Sequence, residues 1–221
     1  SYHWDRAFFG GRYYSYFGVV PVLLAYYPFY WITGSLPANG MICGFFALLA
    51  AVFLCGLVLE LVRLFGRRVN LLLLLIGLPA AVAASTLYGQ QGYADMYFIP
   101  VTAGTCFLML ALFLSLRACR CPRGAPRLAL LAGAGAAFAL TLGCRPTMAL
   151  FGAAVLPLFL RILRDKETPH RHKAACAAAF ALPALIGAAL LWYNRLRFGS
   201  FLDFGVAYQL TVSDPSANTL R

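Results

Sequence analysis

The chain holds only seven carboxylates, few enough to take one at a time. Asp165 and Glu167 sit among Arg161, Arg164, Lys166, Arg171 and Lys173 and read as solvated charges of a basic loop. Glu60 lies three residues before Arg63, the spacing of an ion pair on one helix face. Asp5, Asp95, Asp203 and Asp214 remain. A loop Asp more often forms a turn than does chemistry. Asp5 and Asp95, however, each lie beside aromatics and glycines, in SYHWDRAFFGGRYYSY (1–16) and GQQGYADMY (89–97). Carboxylates so placed are what a site would offer. Arg145 supplies a guanidinium group that could hold a phosphate through two parallel hydrogen bonds. For Arg145, in Cys144-Arg145-Pro146-Thr147, a snorkelling anchor at a helix end is an equal alternative. Tyr13, Tyr14, Tyr16, Tyr93 and Gln209 are the expected lining of a substrate site around these charges.

Other chemistries lack their residues. No Ser-His-Asp or Cys-His arrangement is legible. His170 and His172 form an H-x-H-K that reads as a solvated basic patch. Five of the seven cysteines (Cys43, Cys55, Cys106, Cys144 and Cys176) lie in or at the ends of apolar runs, where a thiol behaves as a small hydrophobe. Cys119 and Cys121 make one C-x-C in a basic loop. Without a histidine or a second pair, this reads as a reduced loop rather than a zinc site. No metal ligands are assigned; a divalent metal is compatible with the reading but not indicated by it. No glycine-rich loop of the nucleotide-binding kind is present.

The elements that must position these residues are apolar. The chain is 62% hydrophobic and 11% charged, against the ~45–50% apolar content usual in soluble domains. Several runs approach the ~20 residues that span a bilayer. In lipid a single span satisfies its backbone only as a helix. The expected fold is therefore all-α, a polytopic transmembrane bundle. About six spanning helices are expected, at Gly40–Leu64, Asn70–Tyr88, Tyr97–Leu116, Leu128–Cys144, Met148–Leu163 and Ala174–Tyr193. Tyr16–Ile32 carries Pro21, Pro28 and a cluster of aromatics suited to the headgroup zone; it is expected to dip or lie at the interface rather than cross. The whole chain is expected to be one transmembrane domain: an external stretch with the re-entrant helix (1–39), the bundle (40–193) and an external loop (194–221). It opens on Ser1, not Met, and is expected to be a piece of a longer protein.

The net charge of +11 follows topology rather than nucleic acid. Arg63, Arg67 and Arg68; Arg117, Arg120, Arg123 and Arg127; and Arg161, Arg164, Lys166, Arg171 and Lys173 fall in alternate loops, which places all of them on the cytoplasmic side. The opposite side receives 89–96, the Arg145 turn and the tail from Asn194. There Arg195 and Arg197 run against the trend and imply an anionic partner, a lipid headgroup or a lipid-linked phosphate.

With that layout in view, GRYYSYFGVVPVLLAYYPFY, LGCRPT and YNRLRFGSFLDFGVAYQL are similar to poorly characterised bacterial members of the GT-C superfamily of membrane glycosyltransferases, which includes the protein mannosyltransferase and aminoarabinose transferase relatives. The chain resembles them in layout throughout, as a fragment lacking the first helix. The resemblance implies transfer of a sugar from a polyprenyl-phosphate donor to an acceptor, itself not named by the sequence, on the outer side of a bacterial inner membrane. It implies Asp5 as base or acceptor-orienting acid and Asp95 as the second-loop acid. Arg12, Arg145, Arg195 and Arg197 would hold the donor phosphate. The two carboxylates are then expected to share one external pocket. A transporter would instead place ionisable groups in mid-span and repeat its halves; neither feature is legible. A non-catalytic membrane protein that binds lipid or a partner is the other alternative.

Overall fold

The computed structural model describes residues 7–14, 18–65, 70–85, 87, 97–122, 124–154, 156–205 and 208. Helix dominates and sheet is almost absent. Contacts divide the chain into two compact units, Gly18–Ala184 and a smaller one that joins Ser1–Phe17 to Leu185–Arg221.

The larger unit opens with a short helix that starts at Val20, passes through a π-helical turn, Val22–Tyr26, and continues as α1, Tyr27–Thr33. Pro28 has no N–H to give to the carbonyl one turn back, and the π-helical turn ends just before it. Next come α2 (Asn39–Leu64), α3 (Leu71–Ala84), α4 (Phe98–Arg120) and α5 (Ala125–Cys144). A 3-10 segment, Pro146–Ala154, leads to α6 (Leu156–Arg164). α7 (His170–Phe198) begins in this unit, and from Leu185, just past its internal Pro183, it belongs to the smaller one.

Four of these helices, α2, α4, α5 and α7, are long and apolar enough to cross a bilayer. By length and composition the chain is a helical membrane protein. Within their most apolar windows, α4 and α5 are each 56% buried, whereas α2 is 22% buried. α4 and α5 are therefore the centre of the packing, and α2 turns most of its surface outward. Phe45, Leu48 and Val52 of α2 stand exposed, as suits side chains facing hydrocarbon.

Two expected spans take other forms. Within Asn70–Tyr88 the regular helix is α3, only 14 residues with Pro79 inside. Asn70 starts it by accepting the Leu72 N–H at 3.0 Å, an N-cap. Met148–Leu163 is not one helix but the 3-10 segment followed by the nine-residue α6. Pro157 falls in the first turn of α6, where its missing N–H costs nothing. Among the described residues, four helices rather than six reach spanning length.

One core cluster joins Ile42, Cys43, Phe46 and Ala50 of α2 to Ile99, Ala103 and Cys106 of α4 and Cys144 of α5. A second joins Ala118 of α4, Leu131 and Ala134 of α5, Phe159 and Ile162 of α6 and Cys176 and Ala179 of α7. Small residues set the spacing, as in other membrane bundles. A Cβ on Gly135 would lie 2.6 Å from the Cα of Ala179, so only glycine lets α5 and α7 approach this closely.

The two ends of this unit differ. At one end α2 and α4 finish together on Glu60, which is buried and paired to Arg63 at 2.9 Å, Arg117 at 3.5 Å and Arg120 at 2.9 Å. The same end holds His172, fully buried with its Nε2 3.3 Å from the Gly124 carbonyl oxygen. For His172 the solvated patch expected of H-x-H-K is corrected here, since the turn between α4 and α5 closes over it, whereas His170 and Arg171 are exposed. At the other end α2 and α4 begin and α5 stops, because Arg145 precedes Pro146 and is held extended. The short N-terminal helix rests there. Gly18 lies against the Cys144 backbone and Val20 against Gly143, both without room for a further side-chain atom. The Tyr26 hydroxyl donates to Asn39 Oδ1 at 2.6 Å.

Candidate functional site

The smaller unit gathers most of the described residues singled out for chemistry. Its first part is a hairpin. β1 (Ala7–Phe9) pairs antiparallel with β2 (Arg12–Tyr14) in the register Ala7↔Tyr14, Phe8↔Tyr13, Phe9↔Arg12. The two-residue turn needs positive φ twice, and Gly10 and Gly11 supply it at 56° and 78°, the geometry that fits the twist of the paired strands.

An isolated two-stranded hairpin is marginal in water, and here aromatic contacts hold it. The Phe9 ring meets Phe198 at 5.8 Å and Tyr208 at 4.6 Å, the Tyr14 ring meets Phe198 edge-on at 5.6 Å, and Phe198 stacks on Tyr208 at 5.5 Å. Pairs of this kind contribute about 0.5–1.5 kcal/mol each beyond the area they bury. Phe198, the last residue of α7, is 4% exposed and is the hub. The first loop and the end of the last helix are thus one packed body.

The arginines of this body are held in defined poses. Arg197 lies over the Tyr193 ring at 4.0 Å and the Phe198 ring at 4.9 Å, and its Nη2 donates to Asn194 Oδ1 at 2.7 Å. Asn194 is itself buried and reaches the Phe201 carbonyl at 3.4 Å. Arg195 donates from Nη1 to the Gly199 carbonyl at 2.7 Å and covers the Phe201 ring at 5.4 Å. A cation bonding the carbonyl just past a helix C-terminus also opposes the helix dipole, so part of the work of Arg195 is to end α7. Arg12 is exposed at the start of β2, beside the exposed Tyr13; Tyr14 is half-buried.

Asp203 follows in the loop. Its Oδ1 accepts the Gly205 N–H at 2.8 Å, and its carboxylate accepts from the Tyr208 hydroxyl, a bond that raises the phenol above its ordinary value.

Arg145 belongs to the larger unit. It is exposed at the end of α5; its N–H bonds the Thr141 carbonyl at 2.9 Å, and its own carbonyl accepts from Met148 at 3.0 Å. Both of these are backbone bonds.

Of the residues expected to form the site, Arg12, Tyr13, Tyr14, Arg195 and Arg197 fall in the smaller unit. Asp5, Tyr16, Tyr93, Asp95 and Gln209 lie outside the described residues. Among the described residues no group of three or more His, Cys, Asp or Glu could hold a metal. The sequence reading did not anticipate Phe9, Phe198 and Tyr208 as the packing that fixes the arginines. Their signal was weak: aromatics at the two ends of the chain carry no spacing rule that pairs them.

A helical membrane protein with oriented arginines on an aromatic cluster is the class that these observations define. No family model matches the chain, nor does any curated protein or solved structure.

Proposed function

We propose that the protein is a membrane-embedded glycosyltransferase of the GT-C kind, which moves a sugar from a polyprenyl-phosphate donor to an acceptor on the extracytoplasmic side of a bacterial inner membrane. The observation that carries this reading is the packing of the hairpin Ala7–Tyr14 onto the Arg195–Arg197 end of α7 through Tyr14, Phe9 and Phe198. The strand that begins two residues after Asp5 thereby shares one body with two of the proposed phosphate-holding arginines. A guanidinium fixed on aromatic faces keeps its planar fork free of rotamer disorder and suits a phosphate oxygen pair.

In this reading Arg12, Arg145, Arg195 and Arg197 neutralise the departing polyprenyl phosphate, which is the main electrostatic contribution. Asp5 takes the proton of the acceptor hydroxyl, and Asp95 is the second acid of the site. The tyrosines Tyr13, Tyr14, Tyr16 and Tyr93, with Gln209, line the substrate. The bundle has about six crossings, with α3 and the segment Pro146–Arg164 completed into spans by their surroundings. The short helix from Val20 to Thr33 is re-entrant or interfacial.

Transfer from a labelled polyprenyl-phosphate sugar, measured in membranes carrying the protein, tests this. Asp5→Asn lowers transfer by about 100-fold to 10,000-fold, the range for loss of a general base, while leaving the protein folded. Transfer at the wild-type rate by Asp5→Asn would remove Asp5 from the mechanism. If the wild-type protein also fails to transfer any lipid-linked sugar, lipid or partner binding without catalysis takes its place.

A further inference from the structure

We propose that the arginine-rich end of the larger unit carries a binding site for a phosphate-ester oxyanion, separate from the chemistry assigned to the smaller unit. The site is a half-open cavity of about 480 Å³ where the ends of α4 and α6 meet the start of α5, walled by Cys119, Cys121, Arg127, Arg161, Ile162 and Asp165. That volume lies within the range of small-molecule pockets, roughly 300–1,000 Å³.

Arg127 is the residue that needs explaining. It is 7% exposed, and its Nε is buried without a hydrogen-bond partner among the described residues. Taking a guanidinium out of water is costly unless its donors are met. At the same end of the unit, Glu60 shows what a met charge looks like, and its three partners are Arg63, Arg117 and Arg120. Among the described residues neither Arg127 nor Arg161 enters an ion pair. Asp165 reaches the cavity wall, but its oxygens accept the Thr168 hydroxyl at 2.6 Å and the Glu167 N–H at 3.1 Å. Its charge offsets one of the two arginines on the same wall.

Two cations and one carboxylate therefore line the cavity, which keeps a net positive charge, and the Arg127 Nε has no hydrogen-bond partner among the described residues. Arg127 also stands in the first turn of α5, which starts at Ala125. The positive end of the helix dipole adds to the potential there. The chemistry that fits is a phosphate ester whose oxygens take the two guanidinium forks. An anionic phospholipid headgroup supplies it, as basic pockets between spanning helices on the positive side are suited to do; so does soluble phosphate.

The test is to titrate the full chain, purified in neutral detergent, with short-chain phosphatidylglycerol, with inorganic phosphate, and with phosphatidylcholine as the zwitterionic control. Two readouts are followed: the rise in melting temperature and the protection of Cys121 from maleimide. Phosphatidylglycerol raises the melting temperature and protects Cys121, and Arg161→Gln weakens its binding about tenfold, the effect of one lost charge-assisted pair. Arg127→Gln acts in the same direction, but Arg127 is buried; the exposed Arg161 keeps the test decisive if that variant does not fold. Inorganic phosphate reproducing both effects identifies a site for the free oxyanion, and phosphatidylglycerol acting alone identifies a headgroup site. Equal binding by the wild type and Arg161→Gln, no protection of Cys121, or equal effects of phosphatidylcholine overturns the proposal.

Discussion

Replacing Glu60 with Gln keeps the side chain's shape and removes its charge, so it isolates what the three-arginine cluster contributes. The Glu60 side chain is 4% exposed, whereas those of Arg63, Arg117 and Arg120 are 56%, 53% and 36% exposed. A fully buried pair broken on one side costs about 3–5 kcal/mol, and an exposed pair is worth about 0.2–1 kcal/mol. This cluster lies between those cases, because each arginine regains water once the carboxylate is gone. The two contacts at 2.9 Å carry most of the attraction, and the 3.5 Å contact to Arg117 is at the limit of a hydrogen bond. At roughly 1 kcal/mol for each short contact and less for the long one, the loss is about 2–3 kcal/mol. For a chain of this size about 2–4 °C of melting temperature accompanies each kcal/mol. Thermal unfolding in detergent should therefore show Glu60→Gln melting about 5–10 °C below the wild type. Arg120→Met should cost more than Arg117→Met, and high salt should narrow the gaps by screening the exposed guanidinium groups. A Glu60→Gln protein that melts within about 1 °C of the wild type would mean that the cluster is worth no more than a surface pair, and that α2 and α4 are joined by packing alone.

Three further outcomes follow from the geometry. Gly135→Ala drives a methyl into the Ala179 backbone and should cost about 1–3 kcal/mol, whereas Gly187→Ala, which meets nothing within 4 Å, should be neutral or stabilising by up to about 1 kcal/mol; equal melting of the two variants would contradict a tight α5–α7 crossing. Tyr208 is raised above 10.0 first by its bond to Asp203, so that bond's contribution is complete below the ordinary value and is lost as pH climbs through the higher folded one. The tyrosinate absorbance of wild type minus Tyr208→Phe should titrate above 10.0 and should move down in Asp203→Asn; a wild-type midpoint at or below that value removes the bond. With the native cysteines replaced, single cysteines at Val19 and Ser35 should label with a membrane-impermeant reagent from the same face, opposite to one at Arg164; opposite labelling of the first two would make Val20–Thr33 a crossing helix.

The sequence carried some of this and not the rest, for reasons that particular residues show. Glu60 and Arg63 were legible as a pair because a helix turn fixes their separation. Arg117 and Arg120 were not, because no local rule brings the end of one span to the end of another. His172 looked solvated for a related reason: its neighbours in sequence are Arg171 and Lys173, but its neighbour in space is the Gly124 carbonyl. Apolar content located α2, α4, α5 and α7. Within Asn70–Tyr88 and Met148–Leu163 it did not foretell the 14-residue α3 or the 3-10 segment ahead of α6, because hydropathy sums side chains and does not register the form of the backbone. The arginines of the smaller unit were legible as cations against the charge trend. Their poses depend on Tyr193, Asn194, Phe198 and Phe201, and these follow from the helix end rather than from any motif.

Length and contacts together bear on the stretch that the sequence left most ambiguous. The helical run from Val20 to Thr33 is about 21 Å long at about 1.5 Å per residue, well short of a hydrocarbon core of about 30 Å. A tilted crossing would need still more residues. Its contacts agree: Gly18 and Val20 touch the finish of α5, and Tyr26 bonds the start of α2. The finish of α5 and the start of α2 both lie at the end of the unit remote from Glu60 and its arginines. A crossing helix would bring one of its termini toward that arginine end, and none of these contacts does. The irregular π-helical turn at Val22–Tyr26 is tolerated because Ala25 and Tyr26 pack on the α2–α4 core, the condition under which broken helix survives at membrane depth. The exposed Tyr27, Tyr30 and Trp31 then have the amphipathic character that holds a segment at the headgroup level. On this reasoning the short helix packs as a cap on the end of the unit remote from the arginine cluster.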